Sequence, residues 1–149
     1  MESNDEQTET QDERDDYCIA LRFFGDDLDP DEVTRVLGLA PTIAERRGDT
    51  RRWRTGSRIL RQGSWRFATQ NSTTDIEQQC IALFDRLTTD LLIWQSLTNR
   101  FQADVFCGVF FGRRAGVLNF SPRLHQLLAD RNLTLILDMY GSDEPTENA

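Results

Sequence analysis

Asp29-Pro30-Asp31-Glu32-Val33-Thr34-Arg35-Val36-Leu37-Gly38-Leu39 writes out one whole short helix, from its cap to its stop. Asp29 can accept from the first free backbone N–H groups, and Pro30 brings the φ that suits the first helical position. Glu32 completes a capping box, and Asp31 sits where the helix dipole favours a negative charge. Val33, Val36 and Leu37 form the stripe to be buried. Gly38 can then take the left-handed conformation that closes the helix, Leu39 folds back as its apolar contact, and Pro41 blocks continuation.

Upstream, Tyr17, Ile19, Leu21 and Phe23 alternate with Cys18, Ala20, Arg22 and Phe24, a period-two pattern that predicts a strand covered in part on both faces. Downstream, residues 43–64 hold few apolar anchors beyond Trp53, Ile59 and Leu60, and predict a long loop or an irregular hairpin. Trp65, Phe67 and Thr69 mark a second strand. Thr74 with Glu77 reads as another capping box, opening the longest helix, on the stripe Ile76, Cys80, Leu83, Phe84 and Leu87. Asp90 caps a further helical turn or two containing Leu91, Trp94 and Leu97. Residues 101–111 alternate as a strand whose later half is apolar on both sides, which suits a central position. Gly112 to Gly116 then predicts a hairpin turn into Val117-Leu118-Asn119-Phe120. Ser121-Pro122 starts a third helix on Leu124, Leu127 and Leu128, closed by Asn132, and Leu133, Leu135, Leu137 and Met139 alternate in a last strand.

The expected fold class is α+β, a mainly antiparallel sheet with about three helices packed on one face. The Ser121-Pro122 start echoes Asp29-Pro30. Two readings fit that echo: a distant duplication giving two ferredoxin-like halves, or two independent uses of common helix punctuation.

The chain of 149 residues is long enough for one domain with a real core. Its formal charge of −8 is a poor guide, because residues 1–16 hold eight acids against Arg14, and residues 141–149 hold three acids and no base. Residues 17–140 are left at about +2. Both acidic tails lack apolar periodicity and are expected to be disordered, flanking a single domain over 17–140. Their primary expected role is solubilising, and an acidic tail folded over basic residues of the domain is a further hypothesis. All 17 basic residues are arginine, so lysine Schiff-base and lysine general-base chemistry is excluded. Cys18, Cys80 and Cys107 are odd in number and lie among apolar neighbours, which predicts free thiols in a reducing compartment. With an acidic start and no apolar run near the roughly 18 residues of a span, the expected setting is the cytoplasm, with no membrane partner.

Few residues point to chemistry. Asp27, Asp29 and Asp31 resemble the start of a calcium loop, but Glu32 stands where that loop needs Gly and Gly38 where it needs Glu, so capping is the better reading. His125 is the lone histidine and has no local nucleophile or orienting partner. No Gly-rich phosphate loop occurs, and no cofactor is called for.

The segment from Arg46 to Arg66 differs. Arg46, Arg47, Arg51, Arg52, Arg54, Arg58, Arg61 and Arg66, against Asp49 alone, give a local charge of +7, interleaved with Trp53 and Trp65. Such a mixture suits phosphate backbones and stacked bases. The alternative is a solvated face whose arginine stems cover the sheet while their heads meet water or the acids of residues 26–32 and the tails. A near-neutral domain with competing acidic tails favours that second reading.

Phe23-Phe24-Gly25-Asp26-Asp27-Leu28-Asp29-Pro30-Asp31-Glu32-Val33-Thr34, Leu37-Gly38-Leu39, Pro41-Thr42, Arg47-Gly48-Asp49, Ser64-Trp65, Ser121-Pro122 and Leu137-Asp138-Met139-Tyr140, in that order, resemble a widespread bacterial family, the domain of unknown function 4279. The resemblance covers about residues 17–140 and implies no activity for individual residues. It lends support to a small non-enzymatic protein-binding domain of the immunity type, monomeric or dimeric, acting through the Arg/Trp segment or a sheet edge. Nucleic-acid or anion binding by the same arginines is the alternative, and an enzyme whose carboxylates converge only in the fold is the weaker one.

Overall fold

The helix from Asp29 to Gly38 forms through local contacts. In the computed structural model, which describes residues 14–141, the Asp29 carboxylate accepts from the Asp31 N–H at 3.0 Å. Gly38 closes the helix at φ +83°, its N–H donating to the Thr34 carbonyl. Glu32 does not complete the capping box by reaching back; its carboxylate is held by the Arg100 guanidinium. Pro30, Val33 and Leu37 are buried.

Around this helix the order is β1 (Asp16–Gly25), α1 (Pro30–Leu37), β2 (Ile43–Glu45), β3 (Thr50–Trp53), β4 (Gly56–Ile59), β5 (Gly63–Ala68), α2 (Ile76–Phe84), α3 (Leu91–Arg100), β6 (Gln102–Phe110), α4 (Pro122–Asp130) and β7 (Thr134–Tyr140). Five strands form one sheet in the order β2-β5-β1-β6-β7, and β3 with β4 makes a separate two-stranded ribbon. All pairs in the large sheet are antiparallel except β6 with β7. The class is α+β, as the periodicities require.

One face of the sheet carries Ile19, Leu21 and Phe23 from β1, Trp65 from β5, and Val105, Cys107 and Val109 from β6. These meet Val33 and Leu37 of α1, Ile76, Cys80, Leu83 and Phe84 of α2, Trp94 and Leu97 of α3, and Leu124 and Leu128 of α4 in a single core. All four helices therefore cover the same face. Trp65 and Trp94 are fully buried; their indole N–H groups donate to Thr34 Oγ1 at 3.0 Å and to the Thr88 carbonyl at 2.8 Å. Phe23 meets the Trp65 ring edge-on at 5.8 Å, and Phe84 meets Trp94 likewise at 5.9 Å. Edge-to-face pairs of this kind contribute about 0.5–1.5 kcal/mol each beyond the area they bury.

Four local readings are corrected. The cap of α2 is Asp75, whose carboxylate accepts from the Gln78 N–H at 2.8 Å; Thr74 instead donates its N–H to Ser72 Oγ, and Glu77 accepts from the Ser121 N–H. Ser121 begins α4 without a side-chain cap. The segment after Asp90 is a full helix of 10 residues, one longer than α2, making the described helices four instead of three. Residues 117–120 form no strand. The flanks of β6 are already taken by β1 and β7, and a parallel β6–β7 pair needs a crossover, which α4 supplies.

The two β-α units also differ in connectivity: α1 leads on to β5, antiparallel to β1, whereas α4 leads to β7, parallel to β6. The tail expectations fall on residues outside those described, except at the junction. Strand β1 starts at Asp16, and Asp15 accepts from the Gly112 N–H at 2.9 Å. Among the described residues no helix is long and apolar enough to cross a membrane.

Candidate binding groove on the open sheet face

Strand alternation that sends Leu21 and Phe23 into the core sends Arg22 and Phe24 to the opposite face, which no helix among the described residues covers. Register then sets the neighbours: Arg66 of β5 and Asp104 of β6 lie directly beside Arg22, with Ile43 of β2 beyond Arg66. Arg22 and Asp104 form a bidentate pair, Nε to Oδ1 at 2.7 Å and Nη2 to Oδ2 at 2.9 Å. Asp104 is almost wholly buried, whereas the Arg22 side chain keeps 22% of its surface. The Arg22 guanidinium lies 4.4 Å from the centre of the Phe106 ring and 5.1 Å from that of Phe24, so a planar cation is clamped between two rings and a carboxylate.

The β3–β4 ribbon rises beside this face. Arg51 and Arg58 are cross-strand partners on it, and Arg51 reaches Glu45 of β2 through Nε and Nη2. That carboxylate holds the Arg51 guanidinium above its ordinary value. Between ribbon and sheet lie two adjoining hollows of about 470 and 280 Å³. The larger is lined by Arg22, Phe24, Ile43, Glu45, Arg51, Ser64 and Arg66. The smaller shares Phe24, Glu45, Arg51 and Ser64 with it and adds Asp26, Arg58, Arg61 and Leu60. Five arginines thus border one groove against two acids, and Glu45 is already engaged. Among the described residues Arg58, Arg61 and Arg66 have no carboxylate within 4.0 Å.

Of the arginines singled out by composition, the fold brings Arg51, Arg58, Arg61 and Arg66 together. Arg46 is turned away, pairing with Asp29 at 2.8 Å and Asp31 at 2.7 Å, the acids of the α1 start to which the solvated-face reading assigned arginine heads. Arg47, Arg52 and Arg54 are exposed outside the two hollows, and Trp53 stands on the ribbon with 52% of its surface open. Trp65 is corrected outright: it is a core residue with no exposed surface, because its strand parity is that of Phe67 and opposite to that of Arg66. His125 is exposed on α4. Reading by composition missed Arg22, Phe24 and Asp104; the signal available was a charge in each of two apolar strands, at positions of one parity.

The helix-covered face is packed into the apolar core. Its buried thiols are inert, Cys80 being pushed up to about 12 by burial, with the Glu77 and Asp75 charges adding to the rise, and Cys107 higher still, again by burial. Arg131 is buried over the rings of Phe84 and Trp94 at 4.8 and 5.4 Å, and its Nε has no partner among the described residues.

Among curated proteins the chain is similar to the UvrABC system protein B of Halalkalibacterium halodurans, 28% identical over 130 residues. That match takes in 87% of this chain and only 19% of the relative's length. No solved structure matches the chain. The model of the domain of unknown function DUF4279 matches residues 15–142, a span that takes in every strand and helix described above and the groove between sheet and ribbon, and the chain belongs to that family.

Proposed function

We propose that this protein is a non-enzymatic cytoplasmic binding module that takes an anionic partner in the groove between the open sheet face and the β3–β4 ribbon. The observation that carries the reading is the convergence of Arg22, Arg51, Arg58, Arg61 and Arg66, from four strands and one loop, on adjoining hollows lined by two acids among the described residues. Guanidinium groups so placed present planar donors to phosphate or carboxylate oxygens. Asp104 and Glu45 hold Arg22 and Arg51 in place before any partner arrives, which lowers the ordering cost of binding. Three free cysteines support a reducing compartment. Similarity over 19% of its length to a protein named as one protein of a system supports a module that works beside other proteins.

A protein-binding surface is the second reading, supported by Trp53 and Ile59, which expose 52% and 68% of their surface on the ribbon. Exposed aromatic and aliphatic side chains on a projecting ribbon are suited to anchor a partner, as an immunity-type role would need. An enzyme built on paired carboxylates has less support, since Glu45 beside the groove is bound to Arg51.

Titration of the full chain with inorganic polyphosphate by calorimetry tests the anion reading. Binding is expected at about 50 mM salt, weakened by at least tenfold near 200 mM, and lost in an Arg58→Ala, Arg61→Ala, Arg66→Ala triple variant. No heat at low salt sinks it, and undiminished binding by the triple variant sinks the groove as its site.

A further inference from the structure

Beyond Arg66 the open face continues into a third hollow of about 240 Å³. Its floor is small, Cys18, Ala20, Ala68 and Gly108, and its walls are aromatic, Phe106 on one side and Phe110 with Tyr140 on the other. The Phe110 and Tyr140 rings are stacked, 8° from parallel with centres 5.2 Å apart. Gly108 is what lets this happen: a Cβ there would lie 2.8 Å from Cys18 Sγ and 3.1 Å from the Phe110 ring. The stack stays open to solvent, Tyr140 at 50% and Phe110 at 36%. Asp138 accepts from the Tyr140 hydroxyl at 2.7 Å and fixes the ring along its own strand, β7. Arg66 borders both this hollow and the largest arginine-lined one.

We propose that the open face binds single-stranded nucleic acid, with a base in the small-floored hollow against Tyr140 and the phosphates on Arg66 and the arginines beyond it. The proposal rests on the anion-binding reading and names its ligand. Strands of single nucleic acid are held where flat aromatic faces alternate with cationic groups along an exposed groove, because every base has a π-face and every linkage a charge. Here the two requirements are met at adjoining places on one sheet. The polarity is set by charge: Asp16 and Asp138 flank the aromatic end and repel phosphate, while the far end is arginine. An acidic polypeptide would use the arginines and leave the aromatic hollow empty. A duplex keeps its bases stacked on one another and offers none to Tyr140.

Fluorescence anisotropy of the full chain with an end-labelled oligothymidylate of about a dozen nucleotides tests this, against four competitors: an abasic strand of the same length, a duplex, thymidine monophosphate and polyglutamate. The oligothymidylate is expected to bind most tightly, with the abasic strand weaker by roughly fivefold or more. Tyr140→Ala and Tyr140→Leu should each weaken the oligothymidylate by a similar factor and leave polyphosphate binding unchanged. Arg66→Ala should weaken both ligands and reduce the slope of log affinity against log salt by about 0.7. If polyglutamate or the abasic strand binds as tightly as the oligothymidylate and both Tyr140 variants are silent, the nucleic-acid proposal fails while the anion reading stands. Preference for the duplex or the monophosphate also overturns it. If no polyanion binds at low salt, both readings fall together.

Discussion

Asp104→Ala is the substitution that best tests how the open face is held. Asp104 is 3% exposed and meets Arg22 through two charge-assisted hydrogen bonds of 2.7 and 2.9 Å. Removing one partner of a fully buried pair costs about 3–5 kcal/mol, most of it from the charge left behind. The Arg22 side chain keeps 22% of its surface and its contacts with Phe24 and Phe106, so water and the rings offset part of the loss. An expected cost of about 2–3 kcal/mol follows. At about 3–4 °C per kcal/mol for a folded part of this size, Tm falls by about 6–12 °C. Urea unfolding followed by tryptophan emission reads it directly, because Trp65 and Trp94 have no exposed surface and report the core. Arg22→Met with Asp104→Leu should recover most of the loss, to within about 1 kcal/mol of the parent, since no unpaired charge remains. A cost below about 0.5 kcal/mol for Asp104→Ala, or a double variant no better than the worse single one, would falsify the account.

Gly38→Ala places a Cβ at φ +83° and is expected to cost about 1–2 kcal/mol, read as a lower urea midpoint with unchanged slope; an unmoved midpoint contradicts the left-handed closure. In the folded chain at pH 8 one thiol should react with a disulfide reagent before the others, Cys18, while Cys80 and Cys107 are buried, with pKa values raised by that burial, and react only on unfolding; two fast thiols refute this. The Asp29 carboxyl is held below its ordinary 3.8 by the Asp31 N–H and by Arg46, and that of Glu32 below 4.5 by its bond from Arg100. Depressed carboxyls stabilise the fold above their unfolded values and lose that contribution as pH falls through the folded ones. Thermal melts should therefore weaken from about pH 5 downward, less steeply in Glu32→Gln, and parallel curves for the two proteins count against the pair. Trp53→Ala should leave stability within about 0.5 kcal/mol of the parent, and a larger loss means the ribbon is part of the core.

What was legible in the sequence was local. The cap, proline and glycine of Asp29 to Gly38 need no partner further than four residues away, and they fold as written. Tertiary context decided the misreadings. Glu32 reads as a capping-box acid, yet it faces Arg100, 68 residues away, and takes the charged partner. Val117 to Phe120 have strand composition, but both flanks of β6 were taken, so the hairpin partner position that the turn at 112–116 predicts was closed to them. Trp65 was grouped with the arginines by its place in the chain, although its own alternation with Phe67 already sent it inward.

The groove shows the same division more sharply. Composition found Arg51, Arg58, Arg61 and Arg66 because they are close in sequence, and it found with them Arg46, Arg52 and Arg54, which the fold points elsewhere. It could not find Arg22, which becomes a neighbour of Arg66 only through the pairing of β1 with β5, or Asp104, which fixes Arg22 only through the pairing of β1 with β6. A one-residue slip in either pairing would put these charges in the core face and the apolar residues outside, so register and site are specified together. The same register sets Phe110 beside Tyr140, across the parallel β6–β7 pair. A basic segment alone does not tell a solvated face from a binding site. Here it is joined, through Arg66, to a clamped arginine on one side and an open aromatic stack on the other, and this adjacency turns a bias in composition into a testable groove.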